Sequence, residues 1–441
     1  MTRSRTDLLA DLAVTAAWIA GGWSTYSAHT TITTLTAMAA RRRARPHVPP
    51  DSDTDPTIVV VVPMLHEADR GLACIAHWCK LLDQHPQLRL CVVTTEREHI
   101  EAPTAPHTWN TLGADPVLAR LTAEGRAELR HYPEFNRTYG EQLGWALDHL
   151  ARTEVDYFYI ANADSRLQPV ACSEIIEYAT DEVDCAQQSA VFFGNLAELS
   201  WLATGEAFFQ TRWTFEVELF RLLAGSRRIR WIPAPIADAW YQHAVGHGLL
   251  ISRRYYQRLG GLPRPRYGLE DAALGVAIRT SGGHIEAFST LECGDAPATA
   301  RELQRQRSTW VRGPLCGPEY LTDRRGTRFA AQGLFDGMKW ALGLPLRWIV
   351  LAALPPRHRL LAAGGLLLGL YGPLLRVLAS LQTLEIASES HPNRDTILRG
   401  LTAYPFAATS YWLGGLRGLA RLLHDITTRT PPIQQRTRES T

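Results

Sequence analysis

From Thr57 onward the chain alternates short apolar runs with amphipathic stretches, and this spacing predicts its elements. Ile58 to Val62, Leu90 to Val93 and Tyr157 to Ile160 read as strands. The first has no polar position, as a strand buried on both faces of a parallel sheet requires. Leu143, Ala146, Leu147 and Leu150 recur at helical spacing, and so do Trp213, Val217 and Phe220. Strands alternating with helices predict an α/β domain with a mostly parallel, Rossmann-like sheet over residues 57–321.

The flanks have a different texture. Leu8 to Ala40 is apolar and threonine-rich with Asp11 as its only ionised side chain, long enough for the roughly 20 residues that cross a bilayer. Arg41, Arg42, Arg43 and Arg45 follow, so 1–45 reads as an anchor whose basic flank places the rest of the chain in the cytoplasm. A surface helix with a basic patch is the alternative. Residues 46–56, with Pro46, Pro49 and Pro50, read as a linker. Over 322–356, the stretch Phe329 to Leu354 carries Asp336, Lys339 and Arg347 and is interrupted around Gly343 and Pro345, which predicts amphipathic helices lying at the membrane surface. Within 357–424, Leu360 to Leu381 and Leu401 to Leu423 read as two spans with Arg376 and Arg417 snorkelling near their ends. Residues 425–441 then form a basic cytoplasmic tail. The expectation is a multi-pass protein of the inner, cytoplasmic membrane. A soluble helical domain with an apolar core is the competing reading.

Composition narrows the function. A formal net charge of +2 over 441 residues excludes a dedicated nucleic-acid binder, which needs a strongly basic face. Seven cysteines without a C-x-x-C pair predict reduced thiols rather than a disulfide framework or a cysteine zinc site.

Ligands of open α/β sheets bind beyond the carboxyl ends of strands, so the polar residues following each apolar run are the candidates. Pro63 and Glu67 follow the first strand, where Glu67 either faces a ligand or caps the next helix. Asn162-Ala163-Asp164 follows the strand ending at Ile160, and Asp164 either holds a divalent ion or closes an Asx-turn. Glu270 and Asp271 open a helix, as dipole-complementing residues or as a pair in which one acts as general base. Leu303, Gln306 and Trp310 share a helix face, where an amide and an aromatic plane suit a sugar and Arg312 a phosphate; an amphipathic helix against the sheet explains the same spacing.

In this order and spacing, the four segments resemble the family 2 glycosyltransferases of GT-A fold, and especially the membrane-bound branch containing cellulose and hyaluronan synthases. The resemblance covers Thr57 to about Gly313. Pro63 to Glu67 is similar to a Pro-x-x-Asn-Glu nucleotide motif with His66 in place of Asn. Asn162 to Asp164 is similar to Asp-x-Asp, with Asn162 replacing the first acid. Gln306 to Trp310 is similar to Gln-x-x-Arg-Trp, with Thr309 in place of Arg. Gly246-His247-Gly248 resembles the segment preceding the base, which makes His247 an acceptor contact. Glu96 stands in for the second-strand acid that reads the nucleotide base.

The resemblance implies an inverting transfer from a nucleotide diphosphate sugar to a hydroxyl of a lipid or glycan. Asp271 is then the base, with Glu270 beside it. Asp164 holds Mg2+ or Mn2+. Glu67, Glu96, Pro63 and Asn162 hold the nucleotide sugar, while His247, Gln306, Trp310 and Arg312 shape the acceptor side. Limited addition is expected, because so few spans are poorly suited to wall a polymer channel. A processive polysaccharide synthase and an inactive sugar-nucleotide-binding membrane protein are the alternatives.

Overall fold

The computed structural model describes residues 26–43, 56–135, 138–240, 242, 244–321, 326–381 and 391–429. A helix over 26–43, α1, precedes the domain. The first half then runs β1 (Ile58–Pro63), α2 (Ala68–Gln84), β2 (Leu88–Thr95), three short helices α3 (Arg97–Glu101), α4 (Thr108–Gly113) and α5 (Pro116–Ala123), β3 (Ala127–Tyr132), α6 (Tyr139–Leu150), β4 (Tyr157–Ile160) and α7 (Pro169–Thr180). The second half comprises β5 (Cys185–Gln187), β6 (Ala190–Val191), α8 (Trp201–Trp213), a π-helical segment over Thr214–Glu218, α9 (Leu219–Gly225), α10 (Ala234–Ala239), β7 (Leu249–Ser252), α11 (Arg253–Arg258), α12 (Glu270–Thr280), β8 (Glu286–Ala287), β9 (Glu292–Cys293), α13 (Ala300–Trp310) and α14 (Arg312–Leu315). Three long helices follow: α15 (Gly326–Ala353), α16 (Pro356–Ser380) and α17 (Arg394–Thr428).

The main sheet has the order β3-β2-β1-β4-β7-β5-β8. All its pairings are parallel except those of β7, which runs antiparallel to β4 and β5. This mixed, mostly parallel α/β sheet fits the expected GT-A-like architecture. Side-chain alternation explains why β1 carries no polar residue. Val59 and Val61 enter one core with Phe158 and Ile160, while Ile58, Val60 and Val62 enter the opposite core with Trp78 and Tyr159.

The chain builds outward from β1 to β3 and then returns to the other side of β1 as β4, so the strand order reverses between β1 and β4. Crevices at such a reversal are where open α/β sheets take ligands. Pro63 and Glu67 leave β1 on that edge, and Asn162 and Asp164 leave β4 beside them.

The expected N-terminal span lies outside the described residues up to position 25. Its remainder, α1, buries Ser27, Thr30, Thr31, Thr34 and Met38 against the domain. Its threonines donate back along the helix, Thr31 to Ser27 O at 2.9 Å and Thr34 to Thr30 O at 2.9 Å, which lets hydroxyls be buried. The basic cluster also docks on the domain: Arg41 donates to Ala287 O, and Arg42 to Ser289 O at 3.0 Å. The linker up to 55 and the tail from 430 lie outside the described residues.

Helix α15 runs through Gly343 and Pro345 as one helix of 28 residues, where the sequence predicted an interruption. Among the described residues, one stretch is long and apolar enough to cross a membrane, His358–Ser380 of α16, with mean hydropathy 1.6. The second expected span falls within α17, which has 35 residues. One face of α17 is a seam of small residues closed against the domain. A Cβ on Gly205 of α8 would lie 2.8 Å from Ala403 Cβ, and one on Gly415 would lie 2.6 Å from the Trp340 ring.

Candidate active site

A cavity of about 1310 Å³ opens at the carboxyl edge between β1 and β4. Its wall includes Pro63, Glu67, Asn162, Asp164, His247, Glu270, Asp271, Gln306 and Trp310, nine of the eleven positions singled out from the sequence. Glu96 and Arg312 are not on it.

Residues after β1 turn through a left-handed backbone at His66, with φ 55°. Few side chains accept that region; Asn and His are among those enriched there, which rationalises His at a motif position where Asn is expected. The Glu98 carboxylate fixes the turn by accepting from His66 N, and also from Thr108 N at 2.7 Å. Glu67 occupies the N-cap position of α2, yet its side chain makes no capping bond. It faces the cavity instead.

Asn162 to Ser165 forms a tight turn in which Asn162 N donates to Ser165 Oγ at 3.1 Å. Arg166 then pairs with Cys293 of β9 through backbone bonds of 2.8 and 3.0 Å. That bridge delivers Asp295, whose backbone N–H donates to Asp164 Oδ2 at 3.1 Å. Asp295 also lines the cavity. Its carboxyl lies so close to Gly194 that a Cβ there would be 2.5 Å from Oδ1, so a larger residue at 194 would displace the Asp295 side chain. Burial pushes the Asp164 carboxyl upward. Burial and the nearby Asp164 charge push Asp295 up to about 7. Two half-buried carboxylates, one raising the other, form an all-oxygen donor set suited to Mg2+ or Mn2+.

Asp271 sits in the first turn of α12, where Ala272 N donates to its Oδ1 at 2.6 Å. Burial raises its carboxyl to about 6 despite that bond. Its neighbour Glu270 packs against Gly140, where a Cβ would lie 2.7 Å from the carboxyl carbon.

His247 is held by Glu292, which the sequence reading did not select. Burial alone would lower the imidazole, but Glu292, Glu218 and Asp164 outweigh it and raise it to about 9. The cation therefore faces both Asp164 and Asp271 and partly offsets their negative charge. Glu218, brought into the wall by the π-helical segment, is raised by burial to about 7 and accepts from Ser189 Oγ.

On α13, Gln306 Oε1 is buried without a hydrogen-bond partner at the cavity wall. Trp310 stacks with the Arg307 guanidinium, 4.6 Å from the ring centroid. Arg312, expected to meet a phosphate, instead pairs with Asp425 of α17. Its buried position at the start of α14 turns it toward the helical seam.

Glu96 also departs from expectation. It lies just after β2, 2.9 Å from His131 Nε2 and 3.0 Å from His99 Nδ1. Hydrogen bonding from His131 holds its carboxyl below the usual value.

Beyond Trp310 the cavity continues as an apolar arm between α15, α16 and α17, lined by Leu342, Leu351, Leu366, Leu370 and Trp412. Arg212, Arg221, Lys339 and Arg347 line the same cavity. The first two are engaged by Glu216 at 2.8 Å and Asp336 at 2.7 Å.

No protein-family profile and no curated protein sequence matches the chain. Among solved structures, the fold is similar to a mannosyltransferase from Pyrobaculum calidifontis in complex with GDP-Man and Mn2+. There the identity is 15%, covering 92% of this chain and 99% of that one, with a TM-score of 0.48. It is also similar to S. aureus TarS in complex with UDP-GlcNAc, at 11% identity over 81% of this chain and 92% of that one, with a TM-score of 0.38. Likenesses this distant carry nothing about chemistry, so the site is read from its own residues.

Proposed function

We propose that the protein is an inverting, metal-dependent glycosyltransferase that moves a sugar from a nucleotide diphosphate donor to a hydroxyl of a lipid-linked acceptor. The observation that carries this reading is the meeting of Glu67, Asp164, Asp271 and Gln306 with Trp310 in one cavity from four separate segments.

In this reading the donor diphosphate lies over the β1–β4 edge, between Glu67 and Asp164. Asp164 and Asp295 would hold a Mg2+ or Mn2+ ion, which supplies charge neutralisation for the departing diphosphate. Asp271 accepts the proton of the acceptor hydroxyl as its oxygen bonds to the anomeric carbon and the bond to the diphosphate breaks. A carboxylate raised to about 6 is well matched to that task near neutral pH. His247 balances the charge of the acid cluster. Gln306 Oε1 receives a sugar hydroxyl, and Trp310 supports the ring face.

The apolar arm favours a lipid over a free glycan. A polymer channel needs polar walls, whereas this cavity extends into leucine-lined space between α15, α16 and α17. Leu346, Trp348, Ile349, Leu360, Leu368 and Phe406 are exposed on the same helices, a surface suited to a bilayer. Membrane association on the cytoplasmic face is part of the proposal.

The test is release of nucleoside diphosphate from a panel of nucleotide sugars by the full chain in lipid nanodiscs, with and without Mn2+. The reading predicts Mn2+-dependent turnover of one donor that Asp164→Ala abolishes. Metal-independent release, or none with any donor, would overturn it.

A further inference from the structure

Glu96, His99 and His131 bring three ligand atoms within 4.8 Å of one another. They lie outside the cavity and belong to neither the donor nor the acceptor side. Topology assembles them: Glu96 follows β2, His99 lies one turn on in α3, and His131 is on β3, where its position pairs with Thr94.

His131 is held at both ring nitrogens, one of them on the Glu96 carboxylate that His99 also approaches. Thr94 Oγ donates its only proton to Arg130 O at 3.3 Å. The same hydroxyl lies 2.9 Å from His131 Nδ1 and engages that ring nitrogen. The other ring nitrogen, Nε2, lies 2.9 Å from Glu96 Oε2. His99 Nδ1 repeats the arrangement. It is shielded from solvent, lies 3.0 Å from the same carboxylate oxygen and makes no directed hydrogen bond.

We propose that Glu96, His99 and His131 form a second metal site, selective for a borderline transition ion such as Zn2+ and separate from the all-oxygen site at Asp164. Two imidazoles and one carboxylate match the ligand preference of Zn2+, whereas Mg2+ and Mn2+ prefer oxygen. Zn–N bonds of about 2.0–2.1 Å place tetrahedral ligand atoms roughly 3.3 Å apart, so the 2.9 and 3.0 Å separations need only a small expansion. Thr94 orients His131 from behind, the role outer hydrogen bonds play for metal-binding histidines. The partly exposed edge leaves a fourth position to water. Neighbouring charges do not compete: Arg97 is engaged by Glu101 at 2.6 Å and Arg130 by Glu128 at 2.7 Å. A bound ion would tie the start of α3, with the cavity residue Arg97, to β3.

The test is titration of chelator-treated full chain in detergent micelles with Co2+ alone, reading the visible d–d bands of low-symmetry Co2+. Wild type and Asp164→Ala are both expected to give a band saturating at one equivalent and displaced by Zn2+. His99→Gln and His131→Gln are each expected to abolish it. A wild-type protein without a saturating band, or a band that survives in either folded histidine variant, overturns the proposal. So does a band lost in folded Asp164→Ala, which would put the ion at the donor site. Circular dichroism of each metal-free variant establishes folding. His99 is half-exposed on a short helix, so His99→Gln decides the matter even if His131→Gln misfolds.

Discussion

Asp295 donates its backbone N–H to the Asp164 side chain at 3.1 Å, joining two carboxylates 131 positions apart in one wall of the cavity. Burial raises both, and the Asp164 charge raises Asp295 further, so a divalent ion between them gains from each oxygen. Asp295→Asn removes one of the two proposed carboxylate ligands and is expected to weaken Mn2+ activation by at least about 10- to 100-fold, the scale of losing even an outer-shell partner of a metal site. The check is the Mn2+ concentration dependence of nucleoside diphosphate release.

A carboxyl raised to about 6 at Asp271 fixes one limb of the pH profile. Below that value the group is protonated and accepts no proton, so kcat/KM is expected to fall as pH drops through about 6. An acid limb near the ordinary carboxylate value would argue against Asp271 as the base.

Glu292 is the chief influence raising His247 against burial. In Glu292→Gln that support goes and burial dominates, so His247 loses its proton at lower pH. Any alkaline limb of the pH–rate profile that reports His247 is expected to move down from about 9, with the acid limb in place. Profiles of both proteins in parallel give the comparison.

These three residues also mark how far the sequence could be read. Glu67, Asp164 and Asp271 were legible because each follows an apolar run or opens a helix of recognisable spacing. Asp295 and Glu292 were not, because β9 has only two residues and one of them is a buried carboxylate, so no hydrophobic pattern marks it. Their positions depend on the Arg166–Cys293 bridge, a long-range pairing without a local signal. Glu96 and Arg312 carried the right chemistry but found partners elsewhere, in His131 and Asp425. The α/β architecture followed from β1 and its neighbours, whereas hydropathy alone did not reveal that α17 closes against α8 through glycines.

Arg312 is assigned to this helical seam rather than to a substrate phosphate. Arg312→Ala leaves Asp425 without its partner in a largely buried pair and is expected to cost on the order of 3 kcal/mol of stability. Thermal unfolding checks the loss, and an unchanged donor KM separates the structural role from phosphate binding.

The apolar arm makes a prediction about the acceptor. Leu366→Trp adds bulk to its wall and is expected to raise KM for a long-chain lipid acceptor at least about tenfold, equivalent to about 1.4 kcal/mol, with the donor KM unchanged. An equal effect on short and long acceptors would place the lipid chain outside the arm.

The central claim is that Asp271 deprotonates the acceptor in a sugar transfer. Its most direct test is pre-steady-state transfer by Asp271→Asn, with donor binding measured separately. The account predicts a chemical step slowed by about 10²- to 10⁴-fold with donor affinity intact. Transfer at the wild-type rate in Asp271→Asn would contradict it.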